Sequence, residues 1–251
     1  MMPLPWRQLL PALLACLLIQ SPSAAAEKAL VAVAANFKTI AESLAREFQA
    51  ASGHQVVLVS GSTGKLYTQI TNGAPFHVFL AADSERPARL HAAGISLGPP
   101  RTYATGRLGI WIRDSAADEG HAQRLADLRR VALANPSLAP YGSAAMDVVD
   151  RLAIRDKLEG RLAYGENVAQ AYALIAAGAA DGGLIAWSLL KDGDRTTESW
   201  LIPADWHAAI NQDAVLLKPD NSENAAASAF YNYLFSPAAR TLIEARGYSL
   251  N

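Results

Sequence analysis

Asn36, Ser62 and Thr63 carry neutral hydrogen-bond donors at places where an apolar run gives way to a helical pattern. The first backbone N–H groups of a helix have no intrahelical acceptor, and the helix dipole favours negative charge there. Two such starts side by side suit the holding of an oxyanion rather than its transformation. Taken one at a time, helix capping explains each residue. Taken jointly, at the carboxyl ends of adjacent parallel strands, they occupy the general position of a ligand crevice.

The elements that place them read as strand, helix, strand and helix start. Val31 and Val33 lie in an apolar run too short for a helix, as a buried strand would. Asn36 closes it as an N-cap. Phe37, Ile40, Ala41, Leu44 and Phe48 then share one helical face, and Gly53 stops the helix. Val56 to Val59 form the second strand, and Ser60-Gly61-Ser62-Thr63-Gly64 opens the next helix. A βαβ unit of this length makes the two strands parallel.

Other chemistries fail on spacing. In Gly61-Ser62-Thr63-Gly64-Lys65 a phosphate loop would need Gly where Val59 stands and Ser or Thr where Leu66 stands. A nucleophile elbow would need Gly at Ser60. The histidines, His54, His77, His91, His121 and His207, show no metal-ligand spacing and read as surface or loop residues. Asp83 has no acid/base partner in sequence and reads as a cap for Ser84–Leu90. Lys65 reads as a solvated side chain. No catalytic set and no resident cofactor is expected.

The chain of 251 residues opens with a leader, residues 1–26. Arg7 precedes an apolar core, Leu9–Ile19, and Ala24-Ala25-Ala26 offers cleavage before Glu27. The runner-up is a lipoprotein signal at Cys16. Cys16 is the only cysteine, so a chain cleaved after Ala26 holds no disulfide and no thiolate metal site. A net charge of −1 argues against nucleic acid and against a polybasic membrane patch.

Further strands are expected at Val78–Leu80, Leu108–Ile112, Val131–Ala134, Leu162–Tyr164, Gly183–Trp187, Leu201–Pro203 and Ala214–Lys218. Helices start at Pro140, near Asn167, at Asn221 and at Pro237. Residues 119–130 read as a solvated helix or loop. Strand–helix alternation gives an α/β protein with mainly parallel sheets. The short strand closed by Asn135 echoes the one closed by Asn36, as two lobes of similar construction would. The Pro99-Pro100 break and the Pro203 region divide the chain into a discontinuous lobe I, 27–105 with 205–251, and an inserted lobe II, 106–204.

Several segments carry a resemblance. They are Val33-Ala34-Ala35-Asn36-Phe37, Ser60-Gly61-Ser62-Thr63-Gly64, Asn72-Gly73-Ala74-Pro75-Phe76, Phe79-Leu80-Ala81-Ala82-Asp83, Ala134-Asn135-Pro136, Ala139-Pro140-Tyr141-Gly142 and Glu166-Asn167-Val168-Ala169-Gln170-Ala171. In this order they span nearly the whole chain after the leader, which resembles the periplasmic molybdate-binding proteins of ABC importers. The resemblance implies a two-lobed type II binding protein with a hinge of two crossing strands. It implies a monomer in the periplasm that closes over a small tetrahedral oxyanion, molybdate or tungstate, and delivers it to an inner-membrane ABC permease with its ATPase. Molybdenum would be held only as the oxyanion. Carried over residue by residue, the site is Asn36 with Ala35, Thr63 with Ser62, and, from lobe II, Tyr141 and the N–H of Val168. Some relatives have a hydroxyl residue where Ala35 stands, or a ligand tyrosine at the position of Ala186 with none at 141. A binding protein for another anion such as sulfate, and an α/β hydrolase, are the competing readings.

Overall fold

The computed structural model describes residues 26–118, 120–219 and 222–250. The leader and Cys16 lie outside them, apart from Ala26. Among the described residues no helix is long and apolar enough to cross a membrane.

Among the described residues ten strands form two five-stranded sheets. The first holds β1 (Lys28–Ala34), β2 (Gln55–Gly61), β3 (Val78–Leu80), β4 (Arg101–Gly106) and β10 (Ile210–Leu216), in the order β2-β1-β3-β10-β4. The second holds β5 (Leu108–Ile112), β6 (Val131–Ala134), β7 (Leu162–Gly165), β8 (Gly182–Ala186) and β9 (Ser199–Leu201), in the order β7-β6-β8-β5-β9. The two orders correspond strand for strand, with β1 answering to β6. The Asn36 and Asn135 echo therefore marks equivalent strand ends.

Both sheets are mixed, which refines the expected mainly parallel sheets. β1 pairs in parallel with β2 and β3, and β6 with β7 and β8. β10 is antiparallel to both its neighbours, and so is β5. Each sheet thus has one reversed strand, and the chain enters that strand from the other lobe. Arg107 alone separates β4 from β5, and residues 202–209 link β9 to β10. These are the two crossings of the hinge.

Nine helices of the described residues complete the lobes: α1 (Lys38–Ser52), α2 (Thr63–Thr71), α3 (Glu85–Ala92), α4 (His121–Arg124), α5 (Pro140–Arg151), α6 (Val168–Ala176), α7 (Trp187–Asp192), α8 (Ala225–Tyr233) and α9 (Pro237–Ala245). Burial on both faces explains why β1 is apolar from Ala29 to Ala34. Ala29, Val31 and Val33 face the core shared with α1 and α8, whereas Ala32 faces the one shared with Leu66 and Ile70 of α2. A strand covered on both faces cannot alternate with polar residues.

Several expectations change. Arg101–Gly106, expected only as chain following a Pro-Pro break, is the strand β4, and the strand expected at Leu201–Pro203 lies at Ser199–Leu201. The strand expected at Gly183–Trp187 ends at Ala186, and α7 begins at Trp187. Residues 120–130 are not solvated throughout: His121, Ala122, Leu125 and Ala126 are buried, while Gln123, Asp127, Arg129 and Arg130 are exposed. His121 is a core residue: its Nε2 lies 3.1 Å from the Glu198 carbonyl, and Arg124 donates to its Nδ1 at 2.7 Å.

Candidate oxyanion site

Six sequence-selected residues line one cavity between the lobes: Ala35, Asn36, Ser62, Thr63, Tyr141 and Val168. The cavity is small: the centre of a water-sized sphere has about 10 Å³ to occupy. All six residues are buried. Ala34, Gly61, Ala82, Ala139, Pro140 and Asn167 complete the wall, so no charged side chain lines it.

Each donor comes from a helix start. Ala35 and Asn36 open a 3₁₀ turn, Ala35–Phe37, directly after β1. Their N–H groups precede its first acceptor. Ser62 is the N-cap of α2, and its Oγ accepts from the Lys65 N–H at 3.4 Å. Thr63 occupies the first helical position. Its Oγ1 accepts the Ala82 N–H at 3.2 Å. A hydroxyl that accepts in this way keeps its own proton for another partner. From lobe II, Ala139 precedes α5, Pro140 has no N–H, and Tyr141 supplies the first backbone donor. Asn167 caps α6 by accepting from the Gln170 N–H at 3.0 Å, leaving the Val168 N–H at the first position.

The Asn36 side chain behaves differently from the expected cap. It makes no capping bond to α1. Its Nδ2 donates to Gln212 Oε1 at 2.7 Å and to the Tyr248 hydroxyl at 2.8 Å. Both amide protons are therefore committed within the chain, and the backbone N–H is what Asn36 offers the cavity. The Tyr141 hydroxyl is buried without a hydrogen-bond partner within the chain. Burial raises it well above the ordinary tyrosine range, and the nearby Tyr248 adds to the shift. Burial likewise pushes Tyr248 up to about 12. Both hydroxyls are neutral near pH 7.

The lobes touch around the cavity. The Gly64 N–H, in the first turn of α2, donates to the Leu138 carbonyl of the other lobe at 2.9 Å. Lys65 pairs with Glu166 across the cleft at 2.5 Å, so it is a rim charge rather than a free solvated side chain. Asp83 is taken up locally: it accepts the Arg86 N–H at 2.9 Å and pairs with that guanidinium at 2.5 Å. Burial nonetheless holds its carboxyl above the usual range. Among the described residues no group of three or more His, Cys, Asp or Glu is placed to hold a metal ion.

Sequence reasoning missed Ala82, Ser188, Gln212 and Tyr248. Ala82 had a readable signal, since β3 ends at the same sheet edge as β1. The other three had none, being joined to Asn36 only by the fold.

A neutral cavity ringed by donors suits a compact anion that brings its own charge and needs no proton acceptor. Comparison with known proteins shows what the whole chain is similar to. The chain is 42% identical to the molybdate-binding protein ModA of Rhodobacter capsulatus over 227 residues, covering 90% of this chain and 89% of that one. It is 40% identical to ModA of Azotobacter vinelandii over 243 residues, covering 95% and 94%. The structure of the periplasmic molybdate-binding protein of Azotobacter vinelandii superposes with a TM-score of 0.83 at 37% identity, covering 89% of this chain and 99% of that one. The sulfate-binding protein SubI of Mycobacterium tuberculosis shares the fold, with a TM-score of 0.69 at 14% identity, covering 88% and 86%. The family model for bacterial extracellular solute-binding proteins matches residues 29–249, and with two relatives at this identity along nearly the whole chain, the protein belongs to that family.

Proposed function

We propose that the protein captures molybdate in the periplasm by closing its two lobes over the anion, and delivers it to an inner-membrane ABC permease with its ATPase. The observation that carries this reading is the convergence of four helix starts, two from each lobe, on one small uncharged cavity. The relatives at 40–42% identity, which bear the name molybdate-binding protein, supply the choice of anion. Tungstate shares the charge and tetrahedral form of molybdate, and the same donors serve it.

The anion first meets lobe I, at the backbone of Ala35 and Asn36, the hydroxyls of Ser62 and Thr63 and the N–H of Thr63. Closure then brings Tyr141 and the Val168 N–H over it. A buried dianion must be compensated by hydrogen bonds. Donors fixed by helix starts meet it without reorganising, and each bond to a charged acceptor is worth about 1.5–3 kcal/mol. Phosphate near neutral pH carries a proton that seeks an acceptor, which the donor ring does not provide. Sulfate carries none, so cavity size separates it from molybdate. One chain supplies every residue of the ring, and it acts as a monomer. The lobes divide as 27–105 with 205–251, and 106–204.

Calorimetric titration with molybdate, tungstate, sulfate and phosphate tests the reading. Tight binding of the first two and weak binding of the others is expected. Tight sulfate binding, or no binding of molybdate, overturns it.

A further inference from the structure

Asn36 is one of the residues on which the two lobes meet. Within lobe I its amide is fixed by two partners. Gln212 Nε2 donates to the Ile210 carbonyl at 3.0 Å, which turns Oε1 towards Asn36 Nδ2. The Tyr248 hydroxyl accepts from the same amide and donates to the Asn36 carbonyl at 3.1 Å. Lobe II adds Ser188, the second residue of α7. Its Oγ lies 3.3 Å from the Asn36 carbonyl and 3.2 Å from the Tyr248 hydroxyl. All four residues are buried.

Tyr141 arrives from lobe II at the same place. A Cβ on Gly106, the last residue of β4, would collide with the Tyr141 hydroxyl and stand 3.1 Å from Gln212 Nε2. Gly106 has no left-handed φ, so the position needs the missing side chain and not the backbone freedom of glycine. Gly106 and Gln212 lie on the strands that flank the two hinge crossings.

We propose that Ser188, Tyr248, Gln212 and Gly106 are positioning residues that couple lobe closure to anion retention, by seating Asn36 and Tyr141 together when lobe II lies against lobe I. The proposal rests on the assignment of Asn36 and Tyr141 to the anion site. Asn36, Gln212 and Tyr248 satisfy one another within lobe I, whereas Ser188 is the member that must travel. In an open cleft its hydroxyl turns to water. Its contribution therefore belongs to the closed state, and to the rate at which that state opens.

The full-length protein is compared with Ser188→Ala, Gly106→Ala, Tyr141→Phe and the double variant Gly106→Ala/Tyr141→Phe. Molybdate association and release are followed by stopped flow, and lobe separation without molybdate by energy transfer between labels on the two lobes. Ser188→Ala is expected to release molybdate about two- to tenfold faster, the range for one hydrogen bond. Its association rate should stay within about twofold, and its lobes should stand further apart without ligand. Gly106→Ala should also release faster. The double variant should lose less than the product of the two single effects, because Tyr141→Phe removes the atom that the new methyl meets. Wild-type release and lobe separation in both Ser188→Ala and Gly106→Ala would overturn the coupling. Lobe separation is read without ligand, so a Ser188→Ala chain that opens but ignores molybdate supports the coupling and removes the assigned anion instead.

Discussion

At the scale of the residue, Thr63 is the side chain whose geometry states its use most plainly. Its oxygen accepts from Ala82 N–H, so its proton is free for the cavity. Thr63→Val keeps the shape and removes that proton. Calorimetry is expected to show molybdate affinity reduced by about 1.5–3 kcal/mol, with Thr63→Ser close to wild type. Tyr248 gives a stability test. Burial raises its hydroxyl from 10.0 to about 12, so between these values the folded chain holds a proton that the unfolded chain has released. Its contribution is complete below about pH 10 and is lost as pH rises towards 12. Denaturant melts from pH 8 to 11 should show stability falling above about pH 10, less steeply in Tyr248→Phe. Thr63 and Ser62 were legible in the sequence because hydroxyls after an apolar strand mark a helix start. The commitment of the Asn36 amide was not, because Gln212 and Tyr248 lie 176 and 212 positions away. The burial of His121 was hidden for a like reason: its partner carbonyl is 77 positions on.

At the scale of the element, the site depends on how closely helix starts sit on strand ends. The first turn of α5 shows this. A Cβ on Gly142 would collide with the Ala134 carbonyl at the end of β6 and reach 2.8 Å from Asn135. Gly142→Ala must push α5 away, and Tyr141, the preceding residue, moves with it. A loss of about 1–3 kcal/mol in stability is expected from thermal unfolding, together with weaker molybdate binding. An unchanged melting temperature would show that α5 is not seated by this contact. The strands with continuous apolar runs, β1, β3 and β6, were legible because burial on both faces leaves no other composition. β4 was not, since Arg101-Thr102 and Thr105-Gly106 interrupt its apolar residues. Nor was α7, whose six residues make less than two turns, too short to repeat a helical pattern, and follow β8 without a break.

At the scale of the molecule, the sequence showed two lobes as an echo between two asparagines, as proline breaks and as a family resemblance, and strand order turns that echo into a shared plan. The lobes also carry an ion pair across the cleft, Lys65 with Glu166, whose side chains are 52% and 31% exposed. Such a pair holds weakly and is screened by salt. Glu166→Gln is expected to release molybdate about two- to fivefold faster in low salt, with the difference fading towards 1 M. A difference independent of salt would mean that the pair is not what holds the cleft mouth. The reversed strands have a further consequence, for the order of assembly. β5 to β9 are consecutive in the chain, so the second sheet has all its strands once Leu201 is available. The first sheet does not: β10 must lie between β3 and β4, and it comes last of all the strands. Closing that long loop is slow compared with local pairing. A chain emerging from its N-terminus should therefore complete lobe II while β3 and β4 remain apart, and pulsed hydrogen exchange during refolding should protect β6 and β8 before β4. The strand that links the lobes in the finished protein is thus also the one that finishes the lobe with which the chain began.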